Sequence, residues 1–245
     1  MQERKDKEYQ MALYVIADLH LPLGIDKPMD IFGAGWANYV KRLEYNWQST
    51  VSDDDTVIIP GDFSWATYLE QSKRDFEFLN ALNGRKILLK GNHDYWWSTM
   101  NKLKLFIKEN GFENIEFMQN NAMEYNGTAL CGTRGWLHPS WEGFGAEDRK
   151  IFDREVLRME LSLKDAEKKY GNGVEKYVFM HYPPTSGIYA ENDMTRLFAE
   201  FNVKKVFYGH LHGAAHRNSV KGEYGGVEYA LVSADYLQFM PQKID

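Results

Sequence analysis

Short apolar runs alternate along the chain with longer stretches whose apolar positions recur at helical spacing. Residues 12–17, 56–59 and 86–90 form the first three runs, and they predict buried strands. Between them, residues 38–51 and 66–82 predict helices, the second carrying Leu69, Phe76 and Leu79 on one side. Strand and helix in alternation argue for an α/β layer fold.

The pattern continues through a helix predicted at 97–109, a strand at 115–118 and two strand-like runs, 122–125 and 128–132, that flank Asn126-Gly127. An Asn-Gly pair between two such runs is a hairpin signal, because both residues tolerate the positive φ of a tight turn. Residues 133–147 are rich in Gly and Trp, and a charged helix predicted over 148–170 ends at Gly171-Asn172-Gly173. We read 133–173 as an excursion over the surface of a single domain spanning 11–245. Alternation resumes with a strand at 176–180, a helix at 192–201 and strands at 203–208 and 227–233. Residues 1–10 are charged and aperiodic, and they are expected to form a flexible extension.

Composition narrows the class. The 245 residues are 44% hydrophobic and 26% charged, enough apolar material for one substantial core. The 35 acidic residues outnumber 29 Lys and Arg, giving a formal charge of −6. That argues against a broad basic face for nucleic acid. No run approaches the roughly 18 to 20 apolar residues that span a bilayer, and the amino terminus lacks a signal-peptide core. A cytoplasmic chain without membrane association, monomeric or dimeric, is expected. The single cysteine, Cys131, has no second thiol for a disulfide or a thiolate cluster, so any metal would be held by nitrogen and oxygen.

Candidate ligands of that kind stand at the carboxyl ends of the predicted strands: Asp18-Leu-His20, Gly61-Asp62, Gly91-Asn92-His93-Asp94, His181 and Gly209-His210-Leu-His212. Ligand sites of open α/β folds lie at such ends. A single Asp-x-His or Gly-Asp is commonplace, since Gly-Asp after a strand is usually a turn. Five strand ends presenting such groups together are not explained by core packing, because polar groups beside apolar strands need partners. Two carboxylates, four imidazoles and an amide oxygen form a borderline-to-hard donor set suited to Mn, Fe, Zn, Ni or Mg. Seven groups suffice for two ions.

In this order, D-x-H, G-D, G-N-H-D, a lone His and G-H-x-H resemble the calcineurin-like metallophosphoesterases, over Asp18 to His212. The resemblance implies a four-layer α/β/β/α sandwich of two mixed sheets with helices outside and a binuclear centre at one edge. It implies one ion held by Asp18, His20, Asp62 and His212 and a second by Asp62, Asn92, His181 and His210, with Asp62 bridging. Two divalent ions are implied as cofactors, manganese first, with iron, zinc or nickel as alternatives. A hydroxide bridging them would attack phosphorus in line. Their charge would also attract a phosphate to a protein that is acidic overall.

His93 matches the family histidine that contacts the phosphoryl or leaving-group oxygen, so the resemblance implies a catalytic and substrate-binding role for it, beside Asn92. Asp94 is expected to orient His93 as a second catalytic residue, or else to cap the following helix. Arg134, after a predicted strand, is a substrate-binding candidate because its fork suits phosphate; its alternative is a salt bridge. His138 and His216 match no motif and read as loop histidines. Trp65, Tyr95, Trp96, Trp97, Trp136, Trp141 and Tyr182 crowd beside the motifs, either as packing or as walls for a ring. Phe152, Leu157 and Leu161 are expected to clamp the excursion helix.

Protein Ser/Thr phosphatases of this superfamily extend the second motif to G-D-x-V-D-R-G. Here it runs Gly61-Asp-Phe-Ser-Trp-Ala66, without that arginine, and the chain most resembles uncharacterised bacterial phosphohydrolases. The expected function is a dinuclear metal-dependent phosphohydrolase acting on a phosphomonoester or phosphodiester of a small metabolite or nucleotide. A nucleic-acid phosphoesterase and a non-catalytic scaffold are the alternatives.

Overall fold

Successive residues of the central strands face two different cores, which is why their sequences are apolar without a break. Leu13 and Val15 point to one core while Tyr14 and Ile16 point to the other. The computed structural model of the chain describes residues 11–29, 31 and 33–245; the segment 1–10, expected to be a flexible extension, lies outside them.

The first sheet contains β1 (Leu13–Val15), β2 (Thr56–Pro60), β3 (Arg85–Leu89) and β4 (Ile115–Phe117), paired in parallel in that order. The second contains β5 (Ala122–Tyr125), β6 (Thr128–Thr133), β7 (Glu175–Met180), β8 (Val203–Tyr208), β9 (Gly222–Tyr224) and β10 (Val227–Leu231), in the order β5-β6-β7-β8-β10-β9. Its four inner strands are parallel and its edges, β5 and β9, antiparallel. A two-residue strand, β11 (Gln242–Lys243), pairs antiparallel with β1 and closes the edge of the first sheet. Both sheets are therefore mixed.

Between the sheets, Leu13, Val15, Ile58 and Ile87 meet Leu130, Phe179 and Phe207. Outside the first sheet lie α1 (Tyr39–Thr50), α2 (Lys73–Ala81) and α3 (Met100–Asn110), which seat Leu43, Trp47, Phe76, Leu79 and Leu103 on Val57, Ile59 and Leu88. Outside the second lie α4 (Ala146–Tyr170) and α5 (Asp193–Glu200). They bury Phe152, Met159, Leu163 and Phe198 against Cys131, Val178 and Val206. Each fully buried side chain of this size contributes about 1.5–3 kcal/mol. The order helix, sheet, sheet, helix is the expected four-layer sandwich.

Four expectations need correction. The helix of the surface excursion is an integral layer: α4 buries Phe152, Glu155, Met159, Ser162, Leu163 and Ala166, while Leu157 and Leu161, expected to clamp it, are exposed. The helix predicted at 66–82 begins later. Gln71 Oε1 accepts from the backbone N–H groups of Thr67 and Tyr68, and a 3₁₀ turn at Leu69–Ser72 precedes α2. The helix predicted from 97 starts at Met100, because the Thr99 hydroxyl accepts from Lys102 N and caps it. The last long strand ends at Leu231, not 233, because Ser233 turns to bridge Ala17 in the other sheet.

That bridge joins the sheets at one edge. Ala17 N donates to Val232 O (2.8 Å) and Ala234 N to Ala17 O (2.9 Å). Since the inner strands of both sheets are parallel, their carboxyl ends collect along this same edge.

Candidate metal centre

The edge is lined by residues that the strands deliver just past their last hydrogen-bonded positions: Asp18 and His20 after β1, Asp62 after β2, Asn92 after β3, His181 after β7, and His210 and His212 after β8. Four of these seven, Asp18, His20, Asp62 and His210, have positive φ between 46° and 72°. A side-chain-bearing residue in that region costs roughly 1–3 kcal/mol and persists only where its surroundings over-determine it. Here the surroundings do. Asp18 N donates to Gly61 O (3.0 Å) and His20 N to Asp62 O (2.9 Å). His210 N donates to Asp18 Oδ2 (2.9 Å) and His93 N to Asp62 Oδ1 (2.8 Å). Two glycines make room: a Cβ on Gly209 would overlap the Asp18 carboxylate, and one on Gly91 the Asp62 carboxylate.

The side chains converge in two sets. In the first, Asp18, His20 and His212 offer ligand atoms within 4.8 Å of one another; the Nε2 atoms of His20 and His212 are 3.3 Å apart. In the second, Asn92 Oδ1 lies 2.6 Å from His181 Nε2 and 2.9 Å from His210 Nδ1. Asp62 stands between them, with Oδ2 3.7 Å from His20 Nε2 and 3.4 Å from His181 Nε2. The structure thus brings together all seven residues of the expected ligand set.

Burial shifts their acidities. It holds the His20 and His181 imidazoles well below their usual range, with neighbouring imidazoles adding to the effect, and it lowers His210 to about 4. Burial also pushes Asp18 up to about 6, against the opposing pull of His212. Asp62 is raised well above the carboxylate range by burial and then by the charges of Asp94 and Asp18. Unprotonated imidazoles converging with two buried carboxyl groups are the donor chemistry that divalent ions take. By donor chemistry and convergence the residues fit two such ions, one at each set.

Supporting contacts select the ligating nitrogens. The Nδ1 of His181 lies 3.2 Å from Pro60 O, which leaves Nε2 for a metal. The Nδ1 of His212 lies 2.9 Å from Asp235 Oδ1, and Gly213 N donates to Asp235 Oδ2 (3.0 Å). Burial alone would lower His212, but the Asp235 hydrogen bond and the charges of Asp18 and Asp235 raise it above its usual value. Asp235, with His216 Nε2 3.2 Å from its other oxygen, thus holds His212 in place, a contact that the sequence did not announce. It follows β10, whose carboxyl end the same strand-end logic could have searched.

Asp94 does not orient His93. Its carboxylate is fully buried and accepts from Gly91 N (2.7 Å), Asp62 N and Phe63 N (2.9 Å each), Ser64 N (3.3 Å) and Trp96 Nε1 (3.0 Å). Nor does it cap α3, a task that Thr99 performs. It ties the loop after β2 to the loop after β3, because the extended turn points the carboxylate at backbone donors. His93 has a buried Nδ1 without a hydrogen-bond partner, and its ring rests against Trp65 at 4.5 Å. Burial lowers its pKa, with the charges of Lys27 and His212 acting in the same direction.

Beside the first set, His20, His93, His212, Met29, Trp36 and Trp65 line a cavity of about 260 Å³. Trp65 stacks on His20 at 4.6 Å. Most of the other aromatics serve packing: Trp96 is buried with Phe63 and Phe76. Tyr182 lies on the His210 ring at 4.2 Å and against Trp136 at 5.1 Å. Arg134 opens into a different cavity. Its guanidinium lies 3.8 Å from Glu155 and over the Trp136 ring, while its carbonyl accepts from His181 N and Tyr182 N (3.0 Å each). His138 is a buried loop histidine, 2.9 Å from Ser140 Oγ.

Among the described residues no helix is long and apolar enough to cross a membrane. Among curated proteins, none matches the chain. In fold it resembles a phosphopantetheinyl hydrolase from Mycobacterium tuberculosis, with 13% identity over 95% of each chain and a TM-score of 0.56. It also resembles the protein TT1561 of Thermus thermophilus, with 11% identity over 96% of this chain and 98% of that one and a TM-score of 0.57. The family model of the calcineurin-like phosphoesterases matches residues 11–214. The chain belongs to that family.

Proposed function

We propose that this calcineurin-like phosphoesterase is a dinuclear metal-dependent hydrolase of a phosphomonoester or phosphodiester carried by a small metabolite or nucleotide. The observation that carries the reading is the position of Asp62 between two converging ligand sets. When bound, two divalent ions supply positive charge for the phosphoryl oxygens and acidify the attacking water. Asp18, His20, Asp62 and His212 would hold one, and Asp62, Asn92, His181 and His210 the other.

The remaining steps belong to side chains of this chain. His93, on the wall of the cavity with His20 and His212, donates a hydrogen bond to the phosphoryl or leaving-group oxygen. Its partnerless Nδ1 leaves that imidazole without a competing bond there. Trp36, Trp65 and Met29 exclude water from the leaving-group side and offer apolar walls to a ring. Asp235 and Pro60 O keep His212 and His181 in the tautomers that expose Nε2.

The test is a screen of protein reconstituted separately with Mn, Fe, Zn and Ni against aryl phosphomonoesters, aryl phosphodiesters, nucleotides, phosphopantetheine and single-stranded oligonucleotides. Turnover of a small ester that is largely lost in Asp62→Asn is expected, since this carboxylate would serve both ions. Preference for oligonucleotides would move the substrate to nucleic acid. Inactivity of every metal form on every ester, or an Asp62→Asn variant as active as the native chain, would overturn the reading.

A further inference from the structure

Residues that flank the Gly91–Asp94 loop in sequence, Leu89 and Lys90 before it and Trp97 to Thr99 after it, line a second cavity, of about 500 Å³. Its lining brings together three cations from three parts of the chain: Lys90 directly after β3, Arg134 directly after β6, and Arg158 from α4. One carboxylate faces them. Glu155 is fully buried and already engaged, at 2.5 Å from Arg158 Nη1, 3.8 Å from Arg134 Nη2, 2.5 Å from Thr133 Oγ1 and 3.2 Å from Gly135 N. The Lys90 ammonium, half-buried, forms no ion pair or hydrogen bond among the described residues.

Three positive groups stand against Glu155 in the lining and Asp94 behind it, both of whose charges act on Lys90, so cations outnumber carboxylates in a concave site on a protein of formal charge −6. Lys90 and Arg134 are partly buried and Arg158 is exposed at the rim, and like charges held close together repel one another unless an anion joins them. The amino terminus of α3 adds to the field, since Ser98 and Thr99 line the same cavity and an 11-residue helix presents its positive end there. Asn120 contributes a neutral amide to the lining. Lys90 lies two residues before Asn92, and the Arg134 carbonyl is bonded to His181 N, so the cavity adjoins the metal centre.

We infer that the cavity bounded by Lys90, Arg134 and Arg158 is a second anion site, distinct from the metal centre, that binds a phosphate group. The guanidinium of Arg158 and the ammonium of Lys90 take the phosphate oxygens, and Glu155 holds Arg158 and Arg134 in place. The phosphate belongs either to the far end of a substrate whose scissile ester sits at the metals or to free phosphate in solution.

Calorimetric titration of the metal-loaded protein with inorganic phosphate tests the site without requiring turnover, so its failure and failure of the hydrolase reading are separable. Two binding events are expected in the native chain. Arg158→Gln, which lies on α4 away from every proposed metal ligand, and separately Lys90→Gln, should each weaken one event by about tenfold, the worth of one charged hydrogen bond. Thermal unfolding verifies that each variant folds. The Arg158→Gln variant then separates the sources. A KM for a nucleoside bisphosphate that rises by about tenfold relative to that for an aryl monophosphate assigns the site to substrate. An unchanged ratio with the phosphate event still weakened assigns it to free phosphate. Phosphate binding that neither variant weakens, whether the native chain shows one event or two, would overturn the inference, whereas a single event weakened in both variants would place the failure at the metal centre.

Discussion

Asp94 and Asp235 both stand behind the candidate metal centre without belonging to the proposed ligand set, and they support it by different means. Asp94 is buried at the heart of the first-sheet loops and spends its oxygens on backbone N–H groups and the Trp96 indole. Asp235, beside the second sheet, holds the His212 imidazole and Gly213 N. Their acidities shift in opposite directions: burial pushes Asp94 up, whereas on Asp235 burial is overcome by the His212 hydrogen bond and charge, which lower it. One carboxylate therefore fixes where the proposed ligands stand, and the other fixes which nitrogen His212 presents. Removing the first should damage fold and metals together; removing the second should damage metal binding alone.

The largest effect is expected from Asp94→Ala. It strands several buried donors at once and releases the positive-φ backbone of Asp62, at a cost of roughly 3–5 kcal/mol. Urea unfolding should report that loss, and metal analysis should find both ions depleted. A variant with native stability would show that the two loops hold each other without Asp94, and the contrast would fall. Asp235→Asn should come next, with metal affinity lowered about 10- to 100-fold, the usual worth of a partner behind a ligating histidine. Its thermal midpoint without metal should change far less than that of Asp94→Ala. A comparable collapse in stability would make Asp235 a structural residue of the same kind.

Only one of these two carboxylates was visible in the sequence, and its role was misread there. Asp94 belongs to a recognisable Gly-Asn-His-Asp run, but adjacency to His93 says nothing of direction, and the turn aims the carboxylate back at the β2 loop. Asp235 sits in an irregular segment after β10, and its partner is 23 residues away, a pairing that only the folded edge creates. The seven candidate residues were legible because each follows a strand whose apolar run is itself legible, and parallel pairing then does the convergence. Ala122–Tyr125 and Val203–Tyr208 emerge with the bounds that periodicity predicts. In contrast, β9 is wholly exposed, so no hydrophobic pattern announces it. Its Gly225-Gly226 turn, both residues at positive φ, was the available signal. Arg134 follows a strand as expected but faces Glu155 and the second cavity, because which way a loop arginine reaches depends on α4, a helix whose packing on the sheet the charged sequence concealed.

A milder test asks whether the loop that Asp94 organises also shapes substrate. Trp65 follows directly on Ser64, whose N–H Asp94 accepts, and its ring is held by Met29 Sδ at 2.8 Å from Nε1 and by the Lys27 ammonium at 3.0 Å from its centre. Trp65→Ala should raise KM for ring-bearing phosphoesters by about two- to tenfold, the range of one aromatic contact, while leaving metal content intact. Equal losses for ring-bearing and alkyl esters would mean that Trp65 only supports His20 and His93.

The smallest effect separates the two carboxylates by pH in the metal-free protein. His212 keeps its proton to higher pH when folded than when unfolded, so its contribution is fully present below about 6.5 and is lost as pH rises through the raised folded value. Asp235, lowered when folded, contributes above about 3.8 and loses that contribution as pH falls through its folded value. His138 runs opposite to His212: burial lowers it to about 4, so its stabilising effect disappears as pH falls from about 6.5 toward 4. Asp18 and Asp62, both raised, give slopes of the same sign as His212. Only the difference between native and Asp235→Asn proteins therefore isolates the pair. Unfolding free energies of chelator-treated protein should fall with rising pH above about 6.5 more steeply in the native chain than in Asp235→Asn. Asp94 accepts from no titrating group, so Asp94→Asn should lower stability while preserving that extra slope. Parallel curves for native and Asp235→Asn proteins would show that Asp235 does not set the His212 proton, and the distinction between holding a ligand's place and holding its charge would fail at its second half.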